Sequence, residues 1–225
     1  MFSFDLSRIE LEDLIERTIG LYHPLVEKSK KDLLIFCEHP NTLSLGKNFK
    51  GFSEGELPLE QWQKRDFSVV ECDRGGQATI HVPGHLMIYP VVNLKNKNLG
   101  IKKFIEILLG AIVSALSSIG INSFIDSERL GVWIDLGEQG SFKIASLGLR
   151  VDRGITRHGA SIYIEGDMEP FRWFSPCGDR ATRTISIKNI HENSDLLLRG
   201  MDFSSLKYIL MGQISNNLRS ALENI

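Results

Sequence analysis

The feature that most limits the possible folds is a succession of short apolar runs with strand character, interrupted by only three long helical patterns. Runs such as "DLLIFCE", "FSVVECD", "KIASLGLRV" and "GASIYIEG" are rich in apolar, mostly β-branched and aromatic residues. They come mostly as neighbours and do not alternate one by one with helices. This order predicts a single α+β domain over residues 1–225, with mixed or antiparallel sheets flanked by helices, rather than a doubly wound parallel sheet.

An uncharged stretch from residue 107 to 125 is near the length of a membrane span. Its pattern is amphipathic, because Leu108, Ile112 and Leu116 fall on one helical face while Ser114 and Ser117 fall elsewhere. We therefore predict a core helix here and expect no membrane segment.

The charge balance and the cysteine pattern argue against several classes of function. A formal net charge of -2 gives no nucleic-acid signature. Three cysteines without CxxC or Cys/His spacing predict neither a disulfide framework nor a zinc site. The acidic start "MFSFDLSRIELED" lacks the parts of a signal peptide. We therefore expect a cytoplasmic protein with no metal, in a reducing compartment where a free thiol persists.

Cys177 lies between proline and glycine in "FSPCGDR", whereas Cys37 lies in an apolar run typical of buried cysteines. Proline and glycine predict a stiff turn that another group can approach closely. The thiol either caps a loop as a small hydrophobic group or is displayed for reaction, and the residues alone leave both interpretations open.

Lys143 begins the apolar run "KIASLGLRV". By strand alternation its side chain would share a face with Ala145, Leu147 and Leu149. Burial among apolar groups disfavours a charged ammonium, and a neutral lysine can act as a general base. A lysine whose head reaches the surface is the plainer alternative. A reactive Cys177 beside such a lysine would suit acyl transfer through a thioester.

Residues 74–90, "RGGQATIHVPGHLMIYP", combine paired glycines with an arginine and two histidines. The paired glycines allow a ligand or another chain to approach the backbone closely. The segment is neither a dinucleotide fingerprint nor a P-loop. His158, in "TRHGASI", is either a base, a ligand or a structural histidine, and we expect His39 to be structural.

These motifs, in this order, resemble the lipoyl(octanoyl) transferases, the octanoyl-[acyl-carrier-protein]:protein N-octanoyltransferases. The matching segments are "LLIFCEHPNTLSLG", "RGGQATIHVPGHLMIYPVVNL", "GVWI", "KIASLGLRVDRGITRHGASI" and "PCG", which together span residues 33–178. The resemblance implies the fold of the biotin/lipoate protein ligase superfamily and an activity in lipoate biosynthesis that needs no cofactor.

The resemblance also implies roles for individual residues. Cys177 would carry the acyl group as a thioester, and Lys143 would activate its thiol. The residues implied to bind substrate are Arg74, Gly75, Gly76, Gln77, Ala78, Thr79, Ile80, His81, Ser146, Leu147, Gly148, Gly159, Ala160 and Ser161. The implied donor is octanoyl-acyl carrier protein. The implied acceptors are lipoyl domains of 2-oxoacid dehydrogenase complexes and the glycine cleavage H protein.

The chain departs from the family's usual residues at several positions. Val82 replaces a glycine, His85 a glutamine, Ala160 a phenylalanine and Tyr163 an asparagine. The nucleophile and the lysine are intact, so activity is expected, while the preferred chain length and the rate stay open.

Three other functions remain open at this stage. The first is an ATP-dependent lipoate or biotin-type ligase on the same fold. The second is a cysteine hydrolase that uses Cys177 with His158. The third is a catalytically weak homologue that only binds acyl carrier protein or lipoyl domains. Basic residues that could form a docking rim for an acidic carrier protein are Lys47, Lys50, Lys102, Lys103, Arg180 and Arg183.

Overall fold

The computed structural model describes residues 1–126, 128–176, 181–192 and 202–224. The strands are β1 (Phe2–Arg8), β2 (Leu33–Glu38), β3 (Thr42–Leu45), β4 (Ser68–Glu71), β5 (Ala78–His81), β6 (His85–Val91), β7 (Phe124–Ile125), β8 (Val132–Asp135), β9 (Ser141–Asp152) and β10 (Ile155–Tyr163). The helices are α1 (Leu11–Arg17), α2 (His23–Ser29), α3 (Leu59–Gln63), α4 (Ile101–Ser118), α5 (Ile187–Glu192) and α6 (Phe203–Glu223), with a π-helical turn (Thr18–Tyr22) joining α1 to α2.

The described strands form two sheets. The larger has seven strands in the order β1-β2-β6-β10-β9-β8-β7, in which β1 and β2 are parallel and the other neighbours are antiparallel. The smaller has the order β4-β3-β5, with one parallel and one antiparallel pair. This arrangement is the predicted α+β architecture with mixed sheets.

Helices α4 and α6 cover one face of the large sheet. Leu108 and Ile112 of α4 and Leu210 and Ile214 of α6 are fully buried against alternate strand residues, so the predicted amphipathic stripes are confirmed. Asp202 directly precedes the apolar stripe of the closing helix, and its residue type predicts an N-cap there. The structure confirms it, since the Asp202 carboxylate accepts a 2.7 Å hydrogen bond from the Ser205 amide. No helix in the described ranges has the length and apolar character needed to cross a membrane.

The opposite face of the large sheet is divided between two smaller cores. At one end, α1, α2 and the π-helical turn pack Leu14, Tyr22 and Val26 onto β2 and β6. At the other end, the small sheet packs with Tyr163 and Phe171. A cleft lies on this face, lined in part by residues from both cores.

A buried ion cluster joins the two ends of the described chain. The Lys207 ammonium, on α6, lies 3.2 Å from the Asp5 carboxylate of β1 and 3.1 Å from the Glu38 carboxylate of β2. Burial opposes the charge, but the hydrogen bond to Glu38 and the nearby carboxylates raise the pKa of Lys207 above its usual value. Glu38 also accepts a hydrogen bond from the Gly84 amide.

Two local predictions differ from the structure. The segments on either side of Pro83-Gly84 read as a strand pair, but β5 joins the small sheet while β6 lies between β2 and β10. Residues 50–66 read as a polar loop, yet they contain α3, whose Trp62 is fully buried. The Trp62 ring contacts residues distant in sequence, such as Trp173 and Phe174, which local patterning does not reveal.

Candidate active site

Lys143 lies on the cleft side of the large sheet, opposite to the face predicted by simple alternation. The difference is caused by a β-bulge. Val132 and Trp133 are consecutive on β8, but they pair with Ala145 and Lys143 on β9, so the intervening Ile144 has no partner on β8. Ile144 and Ala145 both join the core under α4 and α6, and so Lys143 turns away from it. The predicted shared face with Ala145, Leu147 and Leu149 is therefore wrong.

The surroundings of Lys143 agree with the predicted burial. Its side chain is 2% exposed, and its Nζ donates a 3.1 Å hydrogen bond to the carbonyl oxygen of Leu130. The same ammonium lies 4.9 Å from the centre of the Trp133 ring. The Lys143 amide donates to the carbonyl oxygen of Arg183, and the Ile185 amide donates to the carbonyl oxygen of Lys143. These two bonds hold residues 183–185, which follow Cys177 in sequence, against the Lys143 backbone.

Cys177 lies outside the described residues, as does Arg180 of the predicted docking rim. The described chain ends at Pro176 and begins again at Ala181. Within the described ranges, the predicted role of Cys177 therefore stays a prediction.

The cleft has a volume of about 540 Å³, including space open to solvent, and its walls are mainly apolar. Most of the predicted substrate-binding residues line it: Arg74, Gly76, Gln77, Ala78, Thr79, His81, Ser146, Leu147, Gly148, Gly159, Ala160 and Ser161. Ile80 does not, because its side chain is buried in the small-sheet core. Gly75 does not either, and its amide donates to the carbonyl of Leu149 instead. Segments far apart in sequence are thus brought to one cleft.

Arg74 holds the glycine-rich segment against the small sheet. Its guanidinium donates hydrogen bonds of 2.9 and 2.6 Å to the hydroxyl and the carbonyl oxygen of Ser44, and one of 3.1 Å to the carbonyl oxygen of Gly75. Gly76 has a φ of +88°, in the region that glycine adopts without strain. Arg74 therefore helps to shape one wall of the cleft.

Asp73 is the centre of an ion cluster at the end of the cleft. Its carboxylate accepts a 2.7 Å hydrogen bond from His158, lies 3.0 Å from Arg150 and pairs closely with Arg157. Partial burial by itself would raise the pKa of Asp73. The hydrogen bond from His158 and the neighbouring positive charges outweigh this effect and hold the pKa below its usual value. The cluster orients the His158 ring, whose backbone has an uncommon positive φ of 56°.

Glycine is required beside His158 for a steric reason. A Cβ atom on Gly159 would overlap the carbonyl oxygen of Ile88 on the neighbouring strand. Gly159 therefore allows β10 and β6 to lie close together at the floor of the cleft.

Three further histidines are buried and neutral. Burial lowers the pKa of His39 to about 4 and that of His85 to about 3, and it lowers the pKa of His81 well below its usual value. His39 has structural partners, the carbonyl oxygen of Ile9 at 2.6 Å and the Tyr89 hydroxyl at 2.8 Å, as the sequence led us to expect.

Several cleft residues were not singled out by the sequence. Leu11, Ser44, Cys72, Met87 and Tyr89 line the same space as the predicted set. Leu11 and Cys72 lie outside the segments that match the family, whereas Ser44, Met87 and Tyr89 lie within such segments but were not named as site residues. Cys72 has its sulfur 3.1 Å from the Ser44 hydroxyl. Burial raises the pKa of the third cysteine, Cys37, far above its usual value, which agrees with a structural role.

Three of the departures from the usual family residues lie together. Tyr163 pairs with His85 across β10 and β6, with ring centres 4.8 Å apart, and Val82 packs in the same small-sheet core as Tyr163. The Tyr163 hydroxyl also makes a short hydrogen bond with the Ser146 hydroxyl at the cleft wall. These replacements therefore form one packed group rather than scattered changes.

Replacing Tyr163 with phenylalanine should lower the free energy of unfolding by about 0.5–1.5 kcal/mol, because the half-buried Ser146 hydroxyl loses its hydrogen bond to Tyr163. Chemical denaturation would measure this change. Tyr208→Phe is the matched control, since Tyr208 is 62% exposed on α6 and its replacement should cost little. Equal effects of the two replacements would contradict the importance of the Ser146 contact.

The predicted basic rim is not one surface. Lys47 follows the glycine-rich turn, with its amide bonded to the Arg74 carbonyl oxygen. The Arg183 guanidinium lies 4.3 Å from the Phe142 ring, on the segment beside Lys143. Lys102 and Lys103, in contrast, begin α4, which packs on the opposite face of the large sheet from the cleft.

Comparison with known protein families gives a consistent result. Residues 19–208 match the family described as the lipoyl protein ligase A/B catalytic domain. An octanoyltransferase of Chromobacterium violaceum is 36% identical over 163 residues, which cover 72% of this chain and 73% of that protein. An octanoyltransferase of Marinomonas sp. is 30% identical over 216 residues, which cover 95% of this chain and 91% of that protein.

Solved structures share the architecture. A bi-partite lipoate protein ligase of Thermoplasma acidophilum, described together with its E2 lipoyl domain, has a TM-score of 0.68 at 16% identity, covering 97% of this chain and 83% of that chain. A biotin protein ligase of Aquifex aeolicus has a TM-score of 0.53 at 10% identity, covering 99% and 71%. At these identities the likeness shows the fold alone, and it confirms the predicted biotin/lipoate ligase architecture.

Proposed function

The chain belongs to the lipoyl protein ligase A/B catalytic domain family and, as its octanoyltransferase relatives indicate, is an acyltransferase, and from this premise we propose that it transfers an octanoyl group from acyl carrier protein to a lysine of lipoyl domains. The observation that carries the proposal is a buried lysine, Lys143, on the same sheet face as the walls of a mainly apolar cleft. The cleft would hold the acyl chain, and Lys143 would act where the chain's carbonyl group emerges.

In the first half-reaction, Lys143 in its neutral form takes the proton from the Cys177 thiol. The resulting thiolate attacks the carbonyl carbon of the donor thioester, and a new C–S bond forms as the carrier's C–S bond breaks. The Lys143 ammonium returns the proton to the departing carrier thiolate. The octanoyl group is then held on Cys177 as a thioester.

In the second half-reaction, a lysine amine of the acceptor lipoyl domain attacks the Cys177 thioester. A free lysine has a pKa near 10.4 and is mostly charged at neutral pH, so neutral Lys143 is suited to remove its proton. As the C–N bond forms and the bond to the Cys177 sulfur breaks, the acceptor ammonium loses two protons in all: Lys143 passes one of them to the Cys177 sulfur, and the other leaves to solvent. Thioester energy drives amide formation, so the scheme uses no ATP.

A reaction that depends on a free thiol fits a reducing compartment, which is why we propose the cytoplasm as its location. The proposed acceptors are the lipoyl domains of 2-oxoacid dehydrogenase complexes and the glycine cleavage H protein.

Mixing the protein with octanoyl-acyl carrier protein should add the mass of one octanoyl group to the chain. Hydroxylamine should remove this mass because it cleaves thioesters, and Cys177→Ala should not gain it although Cys37 and Cys72 are still present. Intact-protein mass spectrometry measures all three results. Adding an apo lipoyl domain should then discharge the acyl group onto that domain.

The other candidate functions give different results in the same experiment. A ligase of the ATP-dependent kind would modify the lipoyl domain from free octanoate and ATP and would tolerate Cys177→Ala. A hydrolase would release octanoate whether or not the acceptor is present. A binding homologue would form a complex without any change in mass. Any of these three outcomes would overturn the proposed transfer.

A further inference from the structure

One short segment supplies two described contacts of the Lys143 ammonium. The carbonyl oxygen of Leu130 accepts its hydrogen bond at 3.1 Å, and the Trp133 ring lies 4.9 Å from its nitrogen. Both residues belong to the loop and strand that precede the bulge on β8 and β9. The same segment therefore contacts the lysine from its main chain and from its side chain.

Trp133 is itself held firmly in place. Its ring is fully buried, and its indole N–H donates a 2.8 Å hydrogen bond to the carbonyl oxygen of Arg129. The Arg129 guanidinium also lies 4.0 Å from the centre of the ring. Arg129 is fixed in turn by Asp126, whose carboxylate lies 2.6 Å from the guanidinium and also accepts the Arg129 amide. The aromatic face that Lys143 meets has little freedom to move.

Gly131 lets the lysine pass along this segment. Its φ is +146°, and a Cβ atom there would lie 2.7 Å from the carbonyl oxygen of Ala145 and 3.1 Å from Cε of Lys143. A side chain at this position would therefore displace the lysine or the strand beside it.

We propose that Trp133 is a positioning residue for acyl transfer, which holds the Lys143 side chain in place on the cleft side of the large sheet through the face of its indole ring. The inference rests on the proposed function. In that scheme Lys143 gains the Cys177 proton in each turnover and must return it. A buried aromatic face attracts a cation more strongly than an exposed one does, so the ring keeps the ammonium in place while Lys143 carries that proton.

The experiment measures the single-turnover rate of Cys177 acylation by octanoyl-acyl carrier protein at one fixed pH. Trp133→Leu should lower this rate about tenfold, because the Lys143 ammonium loses the aromatic face that holds it in place. Trp133→Phe keeps an aromatic face and should recover most of the lost rate. Tyr208→Leu, which removes an exposed aromatic ring from α6, should retain the wild-type rate.

A second measurement does not depend on activity. In protein labelled with ¹³C-lysine, the Cε protons of Lys143 should resonate upfield of the other lysines, owing to the ring current of Trp133. Lys143→Arg identifies the signal by removing it. The shift should shrink in Trp133→Phe, and if Trp133→Leu does not fold, the Phe variant and the wild-type spectrum still decide the matter.

The outcomes separate this inference from the proposed function. A wild type that is acylated at Cys177, with a Trp133→Leu variant that is folded and keeps the wild-type acylation rate, would overturn the positioning role alone. A wild type that is never acylated would overturn the proposed function. In that case a Lys143 signal without upfield shift would overturn the placement of the lysine on Trp133, and an upfield signal would leave the contact as a structural one.

Discussion

Replacing Lys143 with alanine should lower the rate of Cys177 acylation by roughly 10²- to 10⁴-fold, the usual contribution of a positioned general base. The thiol would then react only as the fraction that is ionised without help, and a free cysteine has a pKa near 8.5. The deficit should therefore shrink as the pH rises above that value. Quenched-flow mass spectrometry of the acyl-enzyme at several pH values would measure it.

Chemical rescue gives this prediction a sharper test. A small primary amine added to Lys143→Ala should restore part of the lost rate, because it can enter the space left by the side chain and accept the proton. Lys188→Ala is the matched control: Lys188 is exposed on α5, away from the cleft, and its loss should leave the acylation rate unchanged. If Lys143→Ala is acylated at the wild-type rate, Lys143 is not the base.

The second prediction, also of a large effect, concerns the stability of the folded protein at acidic pH. The free energy of unfolding should fall steeply as the pH decreases from 6.5 to 5. The folded protein holds His39, His81 and His85 neutral, with pKa values lowered by burial. In the unfolded chain these histidines have a pKa near 6.5. The unfolded state thus binds more protons below pH 6.5, and stability is lost as the pH falls through this range toward the folded values.

The size of the effect follows from the lowered pKa values. By pH 5, His39 and His85, whose pKa values are lowered to about 4 and about 3, should each reduce the free energy of unfolding by about 2 kcal/mol. His81 acts in the same direction. The loss from His39 and His85 alone, about 4 kcal/mol, is a large part of the whole stability of an ordinary domain, about 5–15 kcal/mol. Urea denaturation at closely spaced pH values would measure the loss.

His85→Gln offers a matched comparison, since glutamine does not titrate in this range. The slope of unfolding free energy against pH should decrease in that variant by up to about 1.4 kcal/mol per pH unit. An unfolding free energy that is the same at pH 7 and pH 5 in the wild type would show that the histidines are not held neutral in the folded state.

The sequence predicted the architecture well where a pattern repeats within one element. The stripes of α4 and α6, the strand runs and the Asp202 cap each depend on residues a few positions apart, and the structure has them. The cleft could also be outlined, because "RGGQATIH", "SLG" and "HGAS" carry glycines and small residues whose close approach to a ligand or a strand can be inferred before the fold is known.

The errors arise where the outcome depends on pairing between distant segments. The direction of Lys143 was wrong because a single extra residue, Ile144, interrupts the alternation, and only the pairing with β8 reveals it. The separation of β5 from β6 was missed because each strand pairs with a distant segment, β5 with β3 and β6 with β2, and these pairings are not visible in the local pattern. Asp73 drew no notice because its partners, Arg150 and His158, are about 80 positions away.

The ion cluster of Lys207 has a consequence for how the protein is made. Asp5 and Glu38 lie on β1 and β2, but Lys207, which pairs with both carboxylates, lies on α6, and 169 positions separate it from Glu38. Nascent chains fold from their N-terminal side as they are synthesised. The two carboxylates therefore emerge long before Lys207, and this corner of the large sheet gains its native ion pairs only once α6 has been made and has docked.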